Sequence, residues 1–151
     1  MLKLIFTILK TIVINNLIYT MIKNITYKKK LLATIIKGTY LKKKGLNFFT
    51  NPKLNQQVAF MSHPKNHLIQ PHTHKESIRK IKGTTEVLII LEGILKINFF
   101  ENKKYIFSKI LKKNDIAVLL GGGHGFEVKK NCKMIEVKQG PYSKKEDKFK
   151  F

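Results

Sequence analysis

Three stretches decide how the chain is read: Pro71-His72-Thr73-His74, then Glu86-Val87-Leu88-Ile89-Ile90-Leu91-Glu92-Gly93, then Gly121-Gly122-Gly123-His124-Gly125-Phe126. His72 and His74 stand two apart, and in an extended strand residues i and i+2 project to the same face. Residues 68–74 are therefore read as a strand presenting both imidazoles to one side. The run from Glu86 alternates so that Glu86, Leu88 and Ile90 share one face and Val87, Ile89 and Leu91 the other. Glu92-Gly93 reads as a tight turn, because glycine reaches positive φ without a Cβ clash. It would join residues 86–91 and 94–99 as a hairpin. His124 follows a third apolar strand, residues 116–120, through a glycine run that lets the backbone approach closely. Three imidazoles and one carboxylate on strands or strand ends suit one divalent transition metal: Fe, Ni, Cu or Zn through the imidazoles, and Mn through the added carboxylate.

This arrangement resembles the cupin superfamily. Its first motif, His-x-His, a Glu and a Gly beyond six further residues, is met by His72, His74, Glu86 and Gly93. Its second is met by Asp115, the following strand and Gly121-Gly122-Gly123-His124. The chain departs from the pattern in three places. The interval between His74 and Glu86 is long, Asn114 stands for the usual glycine, and Gly121 stands where proline is common. Further strings resemble a small family of cupin-fold metalloproteins: Phe48-Phe49-Thr50, Thr85-Glu86-Val87-Leu88, Met134-Ile135-Glu136-Val137-Lys138-Gln139-Gly140-Pro141-Tyr142 and Asp147-Lys148. They span residues 31–151. The resemblance implies a single-domain, all-β jelly-roll barrel over 31–151, behind an apolar and basic N-terminal extension, residues 1–30. It implies His72, His74, Glu86 and His124 as metal ligands.

The composition supports one globular domain. The chain has 151 residues, 43% apolar and 26% charged, enough for a sizeable core. Its single cysteine, Cys132, allows no internal disulfide, fits a reducing, cytoplasmic compartment and is read as a half-buried packing residue. The formal charge of +21 would ordinarily suggest nucleic acid. Here the cations are almost all lysines scattered along many elements, and no recognition motif accompanies them. No specific nucleic-acid partner is expected.

Residues 1–22 are apolar, interrupted by Lys3, Lys10, Asn15 and Asn16, and Lys28-Lys29-Lys30 follow. Three readings compete: an interfacial anchor giving weak contact with an anionic membrane surface, a signal segment, against which the small-residue cleavage pattern is missing, or an element packed on the barrel or on a second subunit. A spanning helix would put Lys10, Asn15 and Asn16 in the bilayer. Strands are expected at residues 31–36, 46–50, 56–61, 105–111, 116–120 and 134–139, with loops between. His63 and His67 fall in a turn-rich loop and are read as exposed. Many short strands with edges to cover leave room for a homodimer.

Arg79 lies in the long interval between His74 and Glu86 and is the only arginine. Its planar fork could hold an anionic group, or it could be a solvated loop charge. Glu136 and Lys138 share a face of the last strand and are the other candidate contacts to a small anionic ligand. Beside a membrane-surface or nucleic-acid protein driven by charge alone, two functions stay open. One is a metal-dependent enzyme on a small polar metabolite, an isomerase, epimerase or dioxygenase type, with carbohydrate chemistry favoured by analogy alone. The other is a non-catalytic ligand-binding or metal-stabilised structural protein.

Overall fold

The computed structural model describes residues 21–40, 44–143 and 148–151. Most of the N-terminal apolar stretch, and with it the anchor reading, lies outside the described residues. The architecture is all-β and antiparallel, with eight strands: β1 (Ile22–Tyr27), β2 (Lys30–Ile36), β3 (Gly45–Phe48), β4 (Ala59–Ser62), β5 (Glu86–Glu101), β6 (Lys104–Lys112), β7 (Ile116–Leu119) and β8 (Gly123–Lys138). A 3-10 turn at Gly38–Tyr40 follows β2. Among the described residues no helix is long and apolar enough to cross a membrane.

β5 and β8 form a long two-stranded ribbon, paired from Glu86 opposite Lys138 to Phe100 opposite Gly123. The ribbon carries register breaks between Ile90 and Leu95, with Gly93 at φ 83° in the middle. A Cβ on Gly93 would lie 1.8 Å from the carbonyl oxygen of Asn131, so only glycine fits. Bulges of this kind bend a strand and let it pass from one layer to another. On the far edge of β5 the partner changes at the same place. β7 pairs with residues 86–89, and β6 pairs with residues 94–101. β2 continues from β7, and β1 from β2.

The sheet is thus doubled over. Leu88 and Ile90 from the first arm of β5 share one buried cluster with Leu95, Ile97 and Phe99 from the second arm, joined by Leu32, Ala33, Ile35, Leu111 and Leu119. The other face of the first arm is covered too. Val87, Val118, Ile116 and Ile36 pack with Phe49, and Phe60 and Val58 lie against them. Burial on both faces explains why the run after Glu86 is almost continuously apolar rather than alternating with polar residues. The expected alternation of β5 holds, with Leu88 and Ile90 in one cluster and Val87 and Ile89 against the other. Among the described residues the strands fold over without closing into a barrel.

Asp115 fixes the connection between the layers. It is buried and accepts hydrogen bonds from the backbone N–H of Gly38 and of Lys112, both at 3.0 Å, while Lys37 Nζ approaches to 2.6 Å. Its neighbour Asn114 donates its N–H to Ile90 O, tying this turn to the bend of β5.

Two local expectations are corrected. Glu92-Gly93 is no hairpin turn, because β5 runs unbroken through it. The reversal into β6 comes at Asn102-Lys103, where both φ angles are positive (50° and 65°) and Glu101 pairs with Lys104, as a type I′ turn requires. The β1–β2 reversal at Lys28-Lys29 has the same form. Residues 68–74 are not a strand. Residues 63–84 carry no regular structure and are exposed throughout. Pro64 and Pro71 cannot donate to a ladder, and Leu68 and Ile69 are the only apolar pair within 68–74. β1, within the stretch read as an extension, is a strand of the main sheet.

Candidate functional site

Glu86 opens β5 on the face of Leu88 and Ile90, so its carboxylate enters the space between the two arms. His124, next to the start of β8, pairs with Phe99, a core residue, and therefore faces the same space. The doubled ribbon brings the two together, with His124 Nε2 2.9 Å from Glu86 Oε2. Glu86 is almost fully buried, while His124 keeps about a quarter of its side chain exposed (8% and 27%). Oε2 nevertheless has no hydrogen bond of acceptable direction. Distance alone would make this a hydrogen-bonded ion pair. The ion-pair contact stands, with the ring N–H poorly directed at Oε2. A buried carboxylate oxygen is left facing an imidazole nitrogen without a well-formed bond between them.

The electrostatics favour the ionised carboxylate. The side-chain contact with His124 holds the Glu86 carboxyl below its ordinary range, while burial works against this. The charges of His124, Lys148 and Lys138 add to the lowering. Lys138 is the direct cross-strand neighbour of Glu86, and its ammonium lies 4.7 Å from the ring centre of Tyr142. Glu136 sits opposite Leu88 and is exposed.

The backbone entering β5 is held by an amide cluster. Gln139 Oε1 accepts the Thr85 N–H at 2.9 Å, and Gln139 Nε2 donates to Thr85 Oγ1 at 2.7 Å and to Gln56 Oε1 at 3.1 Å. Thr85 Oγ1 also donates to Gln56 Oε1. This cluster fixes where Glu86 begins, and no motif in the sequence announces it.

His72, His74 and Arg79 lie on the exposed 63–84 segment. The two imidazoles meet edge to face with centroids 5.3 Å apart. His72 Nδ1 is 2.9 Å from Gln70 O, and a carbonyl only accepts, so Nδ1 is the donor in this contact. Among the described residues no three His, Cys, Asp or Glu side chains gather closely enough to hold a metal. The structure assembles Glu86 with His124 and His72 with His74 as two separate pairs. Arg79 makes no ion pair or side-chain hydrogen bond among the described residues. His63 and His67 are exposed, as expected, and their rings stack at 4.1 Å. Cys132 is half-buried against the main cluster, as expected, and burial pushes its thiol pKa up.

Only two donor atoms of the expected ligand set, Glu86 Oε2 and His124 Nε2, come together. Ligand atoms each about 2.0–2.2 Å from a metal, at roughly right angles, are about 3 Å apart. The Glu86 Oε2 to His124 Nε2 separation matches that value, and the orphaned oxygen would gain a partner.

Residues 148–151 lie beside the pair, which no motif in the sequence indicated. With Phe100, His124 and Gly125 they line an open groove of ≈ 360 Å³. Comparison of the chain with known protein families, curated proteins and solved structures finds no match.

Proposed function

We propose that the chain is a metal-binding cupin acting on a small anionic metabolite, with Glu86 and His124 as the preplaced half of the metal site. The observation that carries this reading is the buried Oε2 of Glu86, 2.9 Å from His124 Nε2 and lacking a well-directed hydrogen bond. His72 and His74, side by side on the exposed segment, would complete the ligand set when that segment folds inward. The doubled β5–β8 ribbon, whose strands change layers at a bulge, is what a jelly roll needs at its corner, and it supports the cupin reading.

A divalent ion bound here would supply Lewis acidity toward a coordinated oxygen. The chain's own residues set the rest. Glu86 stays ionised and anchored by the Thr85–Gln139–Gln56 cluster. Lys138 and Lys148 make the surroundings positive, which favours an anionic substrate. Arg79 would reach the substrate with the same movement of the 63–84 segment.

Thermal unfolding of chelator-treated protein tests the proposal. Added Mn, Fe, Ni, Cu or Zn should raise the melting temperature, and at one hundred times the dissociation constant the gain is about 2.7 kcal/mol. Glu86→Gln should remove most of that gain. A melting temperature indifferent to all five ions would refute the metal reading.

A further inference from the structure

We propose that residues 148–151 and Phe100 form, beside His124, a binding pocket for a planar apolar ring carrying one anionic group, a carboxylate or a phosphate. This deepens the reading above by naming a substrate class. It rests on that reading only for the role given to His124.

The seat of this segment is shaped for it. The Phe151 ring stands edge-on to Phe100, with centroids 5.3 Å apart and planes at 82°. Beneath it the chain has Gly123, where a Cβ would lie 2.9 Å from Phe151 Cζ and 3.2 Å from Phe100 Cβ. Even one methyl would push the ring off its place. Aromatic contacts of this geometry contribute beyond the area they bury. The segment is therefore docked by its last ring, and it holds Lys148 and Lys150 at the groove that His124 also lines.

The lining dictates the ligand. Lys148 and Lys150 supply two ammonium groups to the lining. An anionic group is drawn to this rim. The remaining side chains are Phe100, Phe149, Phe151 and His124, three phenyl rings and one imidazole, with no Ser, Thr, Asn or Gln among them. A polyhydroxylated ring would lose its hydration there and find few partners for its hydroxyls. A flat apolar ring loses nothing and stacks on the phenylalanines. The groove, ≈ 360 Å³, is open on one side and has room for one small ring.

Calorimetry on the full chain tests this with phenyl phosphate and benzoate as probes. Phenol, inorganic phosphate and ribose 5-phosphate are the controls. The tighter of phenyl phosphate and benzoate identifies the anionic group. That probe should bind at least about tenfold tighter than each control, a difference of about 1.4 kcal/mol. Lys148→Ala with Lys150→Ala should remove about that factor, and Phe151→Ala should weaken binding several-fold. Gly123→Ala should act in the same direction as Phe151→Ala. Ribose 5-phosphate binding as tightly as phenyl phosphate, or unchanged affinity in the double lysine variant, would overturn the inference. Metal content is measured on the same samples. Lysine-dependent ring binding without metal refutes the metal reading and keeps the pocket, whereas metal without such binding refutes the pocket alone.

Discussion

Glu86 and His124 touch at 2.9 Å although the β5 residue that pairs with His124 is Phe99, thirteen residues along the strand from Glu86. In a straight strand that interval would span about 43 Å. The contact exists because the β5–β8 ribbon folds back at its bulge, so the site depends on a bend some distance from either residue.

Gly93→Ala should therefore damage both fold and site. The added methyl would meet Asn131 O at 1.8 Å, at a φ that alanine adopts only with strain. We expect a loss of about 3 kcal/mol or more in denaturant unfolding, together with loss of the His124–Glu86 contact as read by NMR distance restraints. Stability within about 0.5 kcal/mol of the parent would show that the bend does not need this glycine.

The hairpin at Asn102-Lys103 offers the opposite experiment. Lys103 sits at φ 65°, where a side chain is strained and glycine is not. Lys103→Gly should stabilise the protein by about 1 kcal/mol, read as a shift of the denaturant midpoint at constant slope. A lower midpoint would mean that the turn is not of the type described.

Glu127 carries a pH signature independent of the metal question. Lys129 at 2.7 Å, Asn98 at 2.7 Å and Lys96 at 3.0 Å surround its carboxylate and lower its pKa to about 2. A carboxyl that is more acidic folded than unfolded stabilises the fold fully above its unfolded value. That contribution fades as pH falls from about 4.5 toward 2. The group is half-exposed, so water and salt screen the pairs and the effect is modest. Carboxyl-carbon NMR should show Glu127 titrating near 2, and Glu127→Gln should flatten the acid limb of the stability curve. A midpoint near 4.5 would contradict the contacts.

Most strands were legible in the sequence because their apolar runs are bounded by Lys, Asn and Gly clusters. Glu86 and His124 were legible as members of a motif. The path that joins them was not. Glu92-Gly93 carries the same local signal whether the chain reverses into a hairpin or bends at a bulge, since both need positive φ at glycine. Only the long-range pairing with Lys130 and Lys133 decides between them. His72 and His74 were expected on a strand because two residues of spacing share a face in extended chain. That spacing says nothing about whether a neighbouring strand exists to pair with, and here Pro64 precedes the segment and Pro71 stands within it. The 148–151 segment was invisible in the sequence because Phe151 is placed by the absence of a side chain at Gly123, far from it in the chain.

Elemental analysis of the full chain, purified without a metal-affinity tag, tests the central claim most directly. The account predicts about one divalent transition-metal ion per chain, removable by chelator. It predicts stoichiometric metal lost in His124→Ala and in His74→Ala, and retained in His63→Ala. Absence of metal from the parent, or full occupancy in both His124→Ala and His74→Ala, would contradict it.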